Sequence, residues 1–341
     1  MNKTIIIAEA GLNHNGEIKI AKKLIDIASE AGVDYVKFQT FKADNLVSKT
    51  AKKADYQIKN TKKTDETQFQ MLKKLELSEK DHLDLIEYCN GRSVKFFSTA
   101  FDLESLIFLK KIGLELVKIP SGEITNLPYL RLAAKLFKKV IISTGMANLE
   151  EIENCMNLFL NEGVPKTNIS ILHCNTEYPT KMEEVNLKAM NNINDQFNVS
   201  IGYSDHTLGM EVPIAAVALG ASVIEKHFTL DRNMKGPDHK ASLEPNELIS
   251  MVKSIRNIEK AISGSGVKEP SKSESKNIKI ARKSIFLNSD IYKNHSIKAN
   301  DLIMKRPGHG ISPMKFDKII GKKAVQDLKK GDLLDWKNIK L

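Results

Sequence analysis

Residues 199–230 read VSIGYSDHTLGMEVPIAAVALGASVIEKHFTL. Two short apolar runs, VSIGYSD (199–205) and SVIEKHFTL (222–230), flank a helical stretch. Each run has the length of a strand, and each reaches polar groups at its end: Ser204, Asp205 and His206 in one, Glu225, Lys226 and His227 in the other. A strand, a helix and a second strand in that order form a parallel crossover unit. The same kind of run recurs upstream at TIIIAEAG (4–11), DYVKFQT (34–40), VKFFSTAF (94–101), LELVKIPSG (114–122), KVIISTG (139–145) and NISILHC (168–174). Helical patterns follow most of them and are clearest over 150–162. Eight such units in about 260 residues predict a closed (β/α)8 barrel. An open doubly wound sheet is the alternative. No strand is followed by the G-x-G-x-x-G loop that such a sheet uses for phosphates.

Along the rest of the chain the alternation is interrupted once and then stops. Residues 41–66 are polar and lysine-containing, with no clear period, before helices near 68–75 and 79–90. Beyond 262 the stretch SGSGVKEPSKSESKN (263–277) has linker composition. The remaining residues, 278–341, are too few for another large core. Their short apolar runs and turn signals predict a small β-rich domain. The expected division is a barrel over 1–262, a linker over 263–277 and a small domain over 278–341.

Composition narrows the function. Hydrophobic residues make up 41% and charged residues 28% of the 341, as in an ordinary globular protein. No apolar run is long enough to span a bilayer, and MNKTIIIAEAG reads as a buried strand rather than a signal peptide. A cytoplasmic protein without a membrane partner is expected. Cys89, Cys155 and Cys174 have no zinc-knuckle or disulfide spacing. The net charge of +10 lacks a basic block with interleaved aromatics. It therefore argues for a lysine-rich surface and steering of anionic substrates rather than for nucleic-acid binding.

Barrel enzymes carry their chemistry where strands pass into the following loops. Here successive strand ends offer Glu9, Asn13 and His14; Lys37 and Gln39; Ser98 and Thr99; Lys118, Ser121 and Glu123; Ser143 and Thr144; His173, Asn175, Thr176 and Tyr178; and the two sets quoted first. Eight polar strand ends pointing into one mouth predict an active site there. His206 and His227 end adjacent strands, which lie about 4.8 Å apart. Two imidazoles so placed can share a divalent ion such as Mn²⁺ or Zn²⁺, or can serve as hydrogen-bonding barrel residues. His14, His173 and His239 are weaker candidates, while His82, His295 and His309 read as surface residues. Lys37, Lys118, Ser121, Ser143 and Thr144 supply charge and donors suited to a phosphate.

Taken together, AEAGLNHNG (8–16), VKFQTFKAD (36–44), KIPSGEITNLPYL (118–130), ISTGM (142–146), LHCNTEYPT (172–180), GYSDHTLG (202–209), EKHFTLD (225–231), GPDHKASLEP (236–245) and KRPGHGISP (305–313) resemble the sialic acid synthase family. The resemblance covers essentially the whole chain. It implies a TIM barrel followed by a C-terminal antifreeze-like (SAF) domain. It also implies condensation of phosphoenolpyruvate with an acylated amino sugar, and a domain-swapped homodimer. By the same resemblance His206 and His227 hold a divalent metal, Mn²⁺ in preference to Mg²⁺ or Co²⁺. Lys118, Ser121, Ser143, Asn175 and Ser204 hold phosphoenolpyruvate with Lys37 nearby. Glu9, Gln39, Glu123, Tyr178 and Asp238 face the sugar and the reacting atoms, and Arg306 enters the partner's site. Two departures stand out. Ala100 replaces the usual proline of STPF, removing a fixed φ, and Lys181 stands where a proline is common. Neither removes a reacting group.

The resemblance implies attack of carbon 3 of phosphoenolpyruvate on the sugar aldehyde, polarised by the metal. Glu123 then stabilises positive charge at carbon 2, water adds there, and phosphate leaves by C–O cleavage. The motifs serve three sugars. The expected product is N-acetylneuraminate from N-acetylmannosamine. The alternative is a legionaminate or pseudaminate from a 2,4-diacetamido-trideoxy hexose. The loops at 41–66 and near 180–186 are the segments expected to decide. A non-catalytic sugar-binding protein is the reading from another class, and Glu9, Glu123, His206 and His227 together argue against it.

Overall fold

The computed structural model describes residues 3–340. They form two compact units, one running to Gly264 and the other starting at Ser265. In the first unit eight parallel strands alternate with helices. They are β1 (Ile5–Gly11), β2 (Tyr35–Thr40), β3 (Lys95–Ala100), β4 (Leu116–Ile119), β5 (Lys139–Ser143), β6 (Ile169–Cys174), β7 (Ser200–Asp205) and β8 (Val223–His227). Their order is β3-β2-β1-β8-β7-β6-β5-β4, and the end strands β3 and β4 lie against each other. The sheet therefore curls into the barrel expected from the alternation. Each strand lies within a run read from the sequence.

The two-residue period of a strand gives each face of this sheet its own chemistry. Outward residues such as Ile6, Ala8, Val36, Phe38, Ile142, Ile171, Ile201 and Ile224 pack with the helices in one continuous core. Inward residues change character along the strand. Near the N-terminal ends, Ile7, Phe97, Ile141, Leu172 and Val223 form a small apolar plug. Two residues further along, the same strands present Glu9, Thr99, Ser143, Cys174 and Glu225. Gly202 belongs to the inner face of β7. A Cβ there would fall 2.2 Å from the Val223 carbonyl oxygen and 2.5 Å from Leu172 Cδ2, so only glycine lets the strands close over the plug.

The helices show conventional sequence control. Asn148 caps Leu149–Asn161, accepting from the Glu151 amide while the Glu151 side chain accepts from the Asn148 amide. Its buried residues Ile152, Cys155, Met156 and Phe159 recur at helical spacing. The polar section after β2 is more ordered than its composition suggests. It contains the short helices Ala43–Leu46 and Asp55–Thr61 before Gln68–Lys73. Lys53 explains part of this order. Its buried ammonium donates to the Thr61 hydroxyl, the Lys63 carbonyl and Glu66, tying the segment to itself.

In the second unit β9 (Ser284–Leu287) and β10 (Leu302–Lys305) pair antiparallel. They pack around Ile285, Leu287, Ile291, Ile297, Leu302, Ile319 and Leu334. The stretch expected as linker over 263–277 is not wholly irregular, because a helix begins at Lys272 and runs to Ala281. Ser271 caps it, with Glu274 completing the reciprocal pair, a signal hidden by the Ser- and Lys-rich composition. His82 also departs from expectation. It is buried, not on the surface, with ring nitrogens bonded to the Thr40 hydroxyl and the Ser78 carbonyl. Cys89, Cys155 and Cys174 are all free thiols. Among the described residues no helix is long and apolar enough to cross a membrane.

Candidate active site

A cavity of about 300 Å³ opens at the C-terminal ends of the strands. Of the residues singled out by sequence, Glu9, Lys37, Gln39, Lys118, Ser121, Ser143, Tyr178, Ser204, His206, His227 and Asp238 line it. A larger groove of about 730 Å³ lies along Lys62–Glu66 and Phe69–Lys74, and no strand-end group reaches it. The strand-end groups converge on the smaller cavity.

Its floor is a buried array of charges. Lys118 Nζ donates to both oxygens of Glu225 at 2.8 Å, and the Ser204 hydroxyl donates to Glu225 Oε1 at 3.1 Å. Lys37 Nζ donates to the Thr99 hydroxyl at 2.8 Å and lies 3.7 Å from Glu225 Oε2. It also lies 2.9 Å from Glu9 Oε2, close enough to pair in charge but not aligned as a hydrogen bond, so that oxygen is left without a partner. Burial would push both carboxyls up. At Glu225 the two lysines outweigh it and hold the carboxyl well below the usual range. At Glu9 burial wins over Lys37, helped by the like charge of Glu225, and the carboxyl is pushed up. One carboxylate is thus firmly ionised and its neighbour is poised to hold a proton. Both lysines and Ser143, whose buried hydroxyl has no partner, face an anion-sized space.

Beside this floor stand the two histidines. Their ring centroids are 5.4 Å apart and Tyr178 stacks on His206 at 4.0 Å. Burial drives both imidazoles toward the neutral form. His206 Nδ1 donates to the Asn175 backbone carbonyl, so its Nε2 carries a lone pair. His227 Nδ1 is buried without any partner. Gly11, at φ +50°, leaves room where a Cβ would approach Glu9 Oε1 at 3.2 Å and His227 Cε1 at 3.3 Å. A tautomer fixed by a backbone carbonyl, an orphaned ring nitrogen and two neutral rings suit a divalent ion. Among the described residues no three His, Cys, Asp or Glu side chains form a ready-made cage. Water or substrate oxygens would complete the coordination.

The remaining candidates are placed differently. Glu123 is half-buried in the turn Ser121–Glu123, where its Oε2 accepts from Asn126 Nδ2 at 2.6 Å, and it does not line the cavity. Asn175 spends its side-chain oxygen on the Glu177 amide and contributes its backbone to His206. Arg306 lies exposed in the second unit, with Nε donating to the Ala281 carbonyl. His14, His173 and His239 do not join the histidine pair. They bond instead to the Gly16 amide, the Val185 carbonyl and the Thr229 hydroxyl. Sequence reasoning gave Glu225 no role, although its two-residue spacing from His227 put it on the inner face. It also missed Tyr56, Gln57, Gln68, Leu46, Val47 and Leu72, all in the section after β2 and all lining the cavity. No period marks them.

A (β/α)8 barrel with two buried lysines and a neutral histidine pair gathered at its strand ends has the frame of an enzyme. Residues 24–268 match the NeuB family and residues 282–340 match the SAF domain, so the chain belongs to the NeuB family and is an enzyme of the nonulosonic acid synthase class. It is 55% identical over 334 residues to an N,N'-diacetyllegionaminic acid synthase of Campylobacter jejuni, covering 98% of this chain and 99% of the relative. A protein of the same name from Legionella pneumophila is 47% identical over 98% of this chain and 94% of its own length. Among solved structures, an N-acetylneuraminic acid synthetase from Leptospira borgpetersenii, in complex with citrate, superposes with a TM-score of 0.69 at 36% identity. That match covers 81% of this chain and 90% of the synthetase.

Proposed function

We propose that the enzyme condenses phosphoenolpyruvate with a 2,4-diacetamido-trideoxy hexose and water, releasing phosphate and N,N'-diacetyllegionaminate. The observation that carries the reaction class is the single cavity in which Lys37 and Lys118 adjoin the neutral pair His206 and His227. The choice of sugar shifts from the N-acetylmannosamine expected from sequence. Its support is the name shared by relatives 55% and 47% identical to this chain.

Phosphoenolpyruvate would lie with its anionic groups against Lys118, Lys37, Ser121 and Ser143, partly displacing Glu225 from Lys118. The open-chain sugar would lie with its aldehyde toward His206 and His227. Those residues would hold a divalent cation, which supplies Lewis-acid polarisation of the aldehyde oxygen when bound. The C2–C3 π pair of phosphoenolpyruvate would form the bond from carbon 3 to the aldehyde carbon while the carbonyl π pair moves to the aldehyde oxygen, which takes up a proton, leaving positive charge at carbon 2. Glu225, ionised and buried, is the carboxylate of the floor that can stabilise that charge, because Glu123 stands outside the cavity. Water adds to carbon 2, Glu9 being poised to take its proton. The carbon–oxygen bond to phosphate then breaks. Confinement of all partners supplies orientation.

Phosphate release should require both phosphoenolpyruvate and the diacetamido sugar, should cease on chelation, and should return with Mn²⁺, Mg²⁺ or Co²⁺. Turnover by metal-stripped protein would remove the cation from the mechanism. Release with neither the diacetamido sugar nor N-acetylmannosamine would overturn the function. The proposal includes a swapped homodimer, with Arg306 serving the partner's sugar. Mixing Arg306→Ala protein with Glu225→Ala protein should restore part of the activity that each lacks. No recovery in proven mixed dimers would overturn the shared site.

A further inference from the structure

The cavity has one wall that the reaction chemistry leaves unused. In the proposed reaction Lys37 of β2 and Lys118, Ser121 and Ser143 of β4, β5 and their loops take the phosphate side, and the histidines take the aldehyde. The rest of the sugar must run away from both. A ladder of stacked rings marks the direction. Tyr178 lies 4.0 Å from His206, and Tyr56 lies 5.1 Å from Tyr178, again nearly parallel. Tyr56 belongs to the helix Asp55–Thr61 in the section after β2. Asn60 fastens that helix to the barrel by donating from Nδ2 to the Pro237 carbonyl at 2.6 Å. Beyond Tyr56 the cavity is bounded by Leu46, Val47, Leu72 and Gln68. Leu46, Val47 and Leu72 pack with Leu12 and Phe101 in one apolar cluster. The Gln68 side chain makes one long hydrogen bond, 3.5 Å from Nε2 to Gln57 Oε1.

We propose that this wall is the specificity element of the enzyme. Leu46, Val47 and Leu72 receive the C6 methyl of the sugar, Gln68 pairs with its second acetamido group, and Tyr56 is the positioning residue that holds the wall over the reaction centre. This rests on the condensation proposed above. A hexose with hydroxyls at C4 and C6 would have them stripped of water against leucine and valine without replacement partners, a cost that a methyl does not carry. An amide beside Gln68 finds both a donor and an acceptor.

The test compares kcat/KM of the full-length enzyme for the 2,4-diacetamido-trideoxy hexose and for N-acetylmannosamine. The Leu46→Asn/Val47→Thr double variant should lower the preference for the diacetamido sugar about tenfold or more, through its KM. Val47→Thr alone, a near-isosteric exchange at a half-buried position, serves should the double variant fail to fold. Tyr56→Phe should keep the stacking and the sugar KM. Tyr56→Ala should raise the sugar KM, with phosphoenolpyruvate affinity, read by calorimetry, unchanged. Folded wall variants with the wild-type preference would overturn the inference and leave the condensation standing. Wild-type protein inert toward both sugars would instead overturn the condensation itself.

Discussion

The floor and the wall of one cavity are built by opposite means. The floor is carried by strands. Glu9, Lys37, Lys118, Glu225 and His227 are fixed by backbone ladders and by alternation, and Lys37 and Lys118 balance the buried charge of Glu225. The wall is carried by a section of short helices, Ala43–Leu46, Asp55–Thr61 and Gln68–Lys73, anchored by Lys53 and Asn60. Strand-borne chemistry can hold reacting groups within tenths of an ångström. Loop-borne chemistry can change its partner without moving them. This fold therefore places its charged floor and its helical wall on separate kinds of element, so that one can vary while the other stays fixed.

The floor's rigidity has an identifiable source, and breaking it should give the largest effect. Asp205 and Lys226 pair directly across β7 and β8, on the outer face between the residues that carry the histidines. Their side chains are wholly buried and 2.5 Å apart. Lys226 also donates to the Thr207 carbonyl, and Asp205 accepts from the Thr207 amide and hydroxyl. The loop leaving His206 is thus tied to the strand leading to His227. Asp205→Asn would strand a buried ammonium and should cost about 3–5 kcal/mol in urea unfolding. Lys226→Met added to it should recover part of that loss, while Mn²⁺ affinity stays roughly 10–100-fold weaker. Wild-type stability in Asp205→Asn would show that the histidine spacing is held by something else.

The next effect separates two carboxylates. The family resemblance put charge stabilisation at carbon 2 on Glu123. Glu225 lines the cavity and is the carboxylate proposed for that role, whereas Glu123 is bonded to Asn126 outside it. Glu225→Gln should lower kcat about 10²–10³-fold. Glu123→Gln should lower it far less. The reverse order would return the role to Glu123 and require the turn Ser121–Glu123 to move when substrate binds.

These residues show which features the sequence made legible. The strands were legible because their period is local: a run of valines and isoleucines ending in a carboxylate or imidazole announces both the strand and its polar end. The inner face was legible in principle, since Glu225 stands two residues from His227, but the motif reading passed over it in favour of Glu123. The wall was legible only as a segment: residues 41–66 were expected to choose the sugar, but nothing marked which side chains would face it. Tyr56 lies on one short helix and Gln68 and Leu72 on another, and their meeting depends on contacts such as Lys53 with the Lys63 carbonyl. Such contacts leave no pattern in one chain. His82 failed for a related reason: its partner Thr40 is 42 residues away and nothing local marks the bond. The helix from Lys272 was hidden by composition, although Ser271 and Glu274 have cap spacing.

Asp238 lies where floor and wall meet, next to the Pro237 carbonyl that fastens the helix of Tyr56, and it gives the smallest test. It lines the cavity, and burial pushes its carboxyl up to about 7. An acid raised in the folded state binds its proton more tightly there than in the unfolded chain. Below about pH 4 both states hold the proton. Between about pH 4 and 7 only the folded state does, so stability falls as pH rises through that window. Asp238→Asn removes this linkage without changing the side chain's shape. The variant should match wild type near pH 4 and exceed it by up to about 4 kcal/mol at pH 8, as read by denaturant unfolding at both values. A difference that does not grow with pH would mean that Asp238 is solvated or paired in solution. The joint between floor and wall would then be open rather than dry.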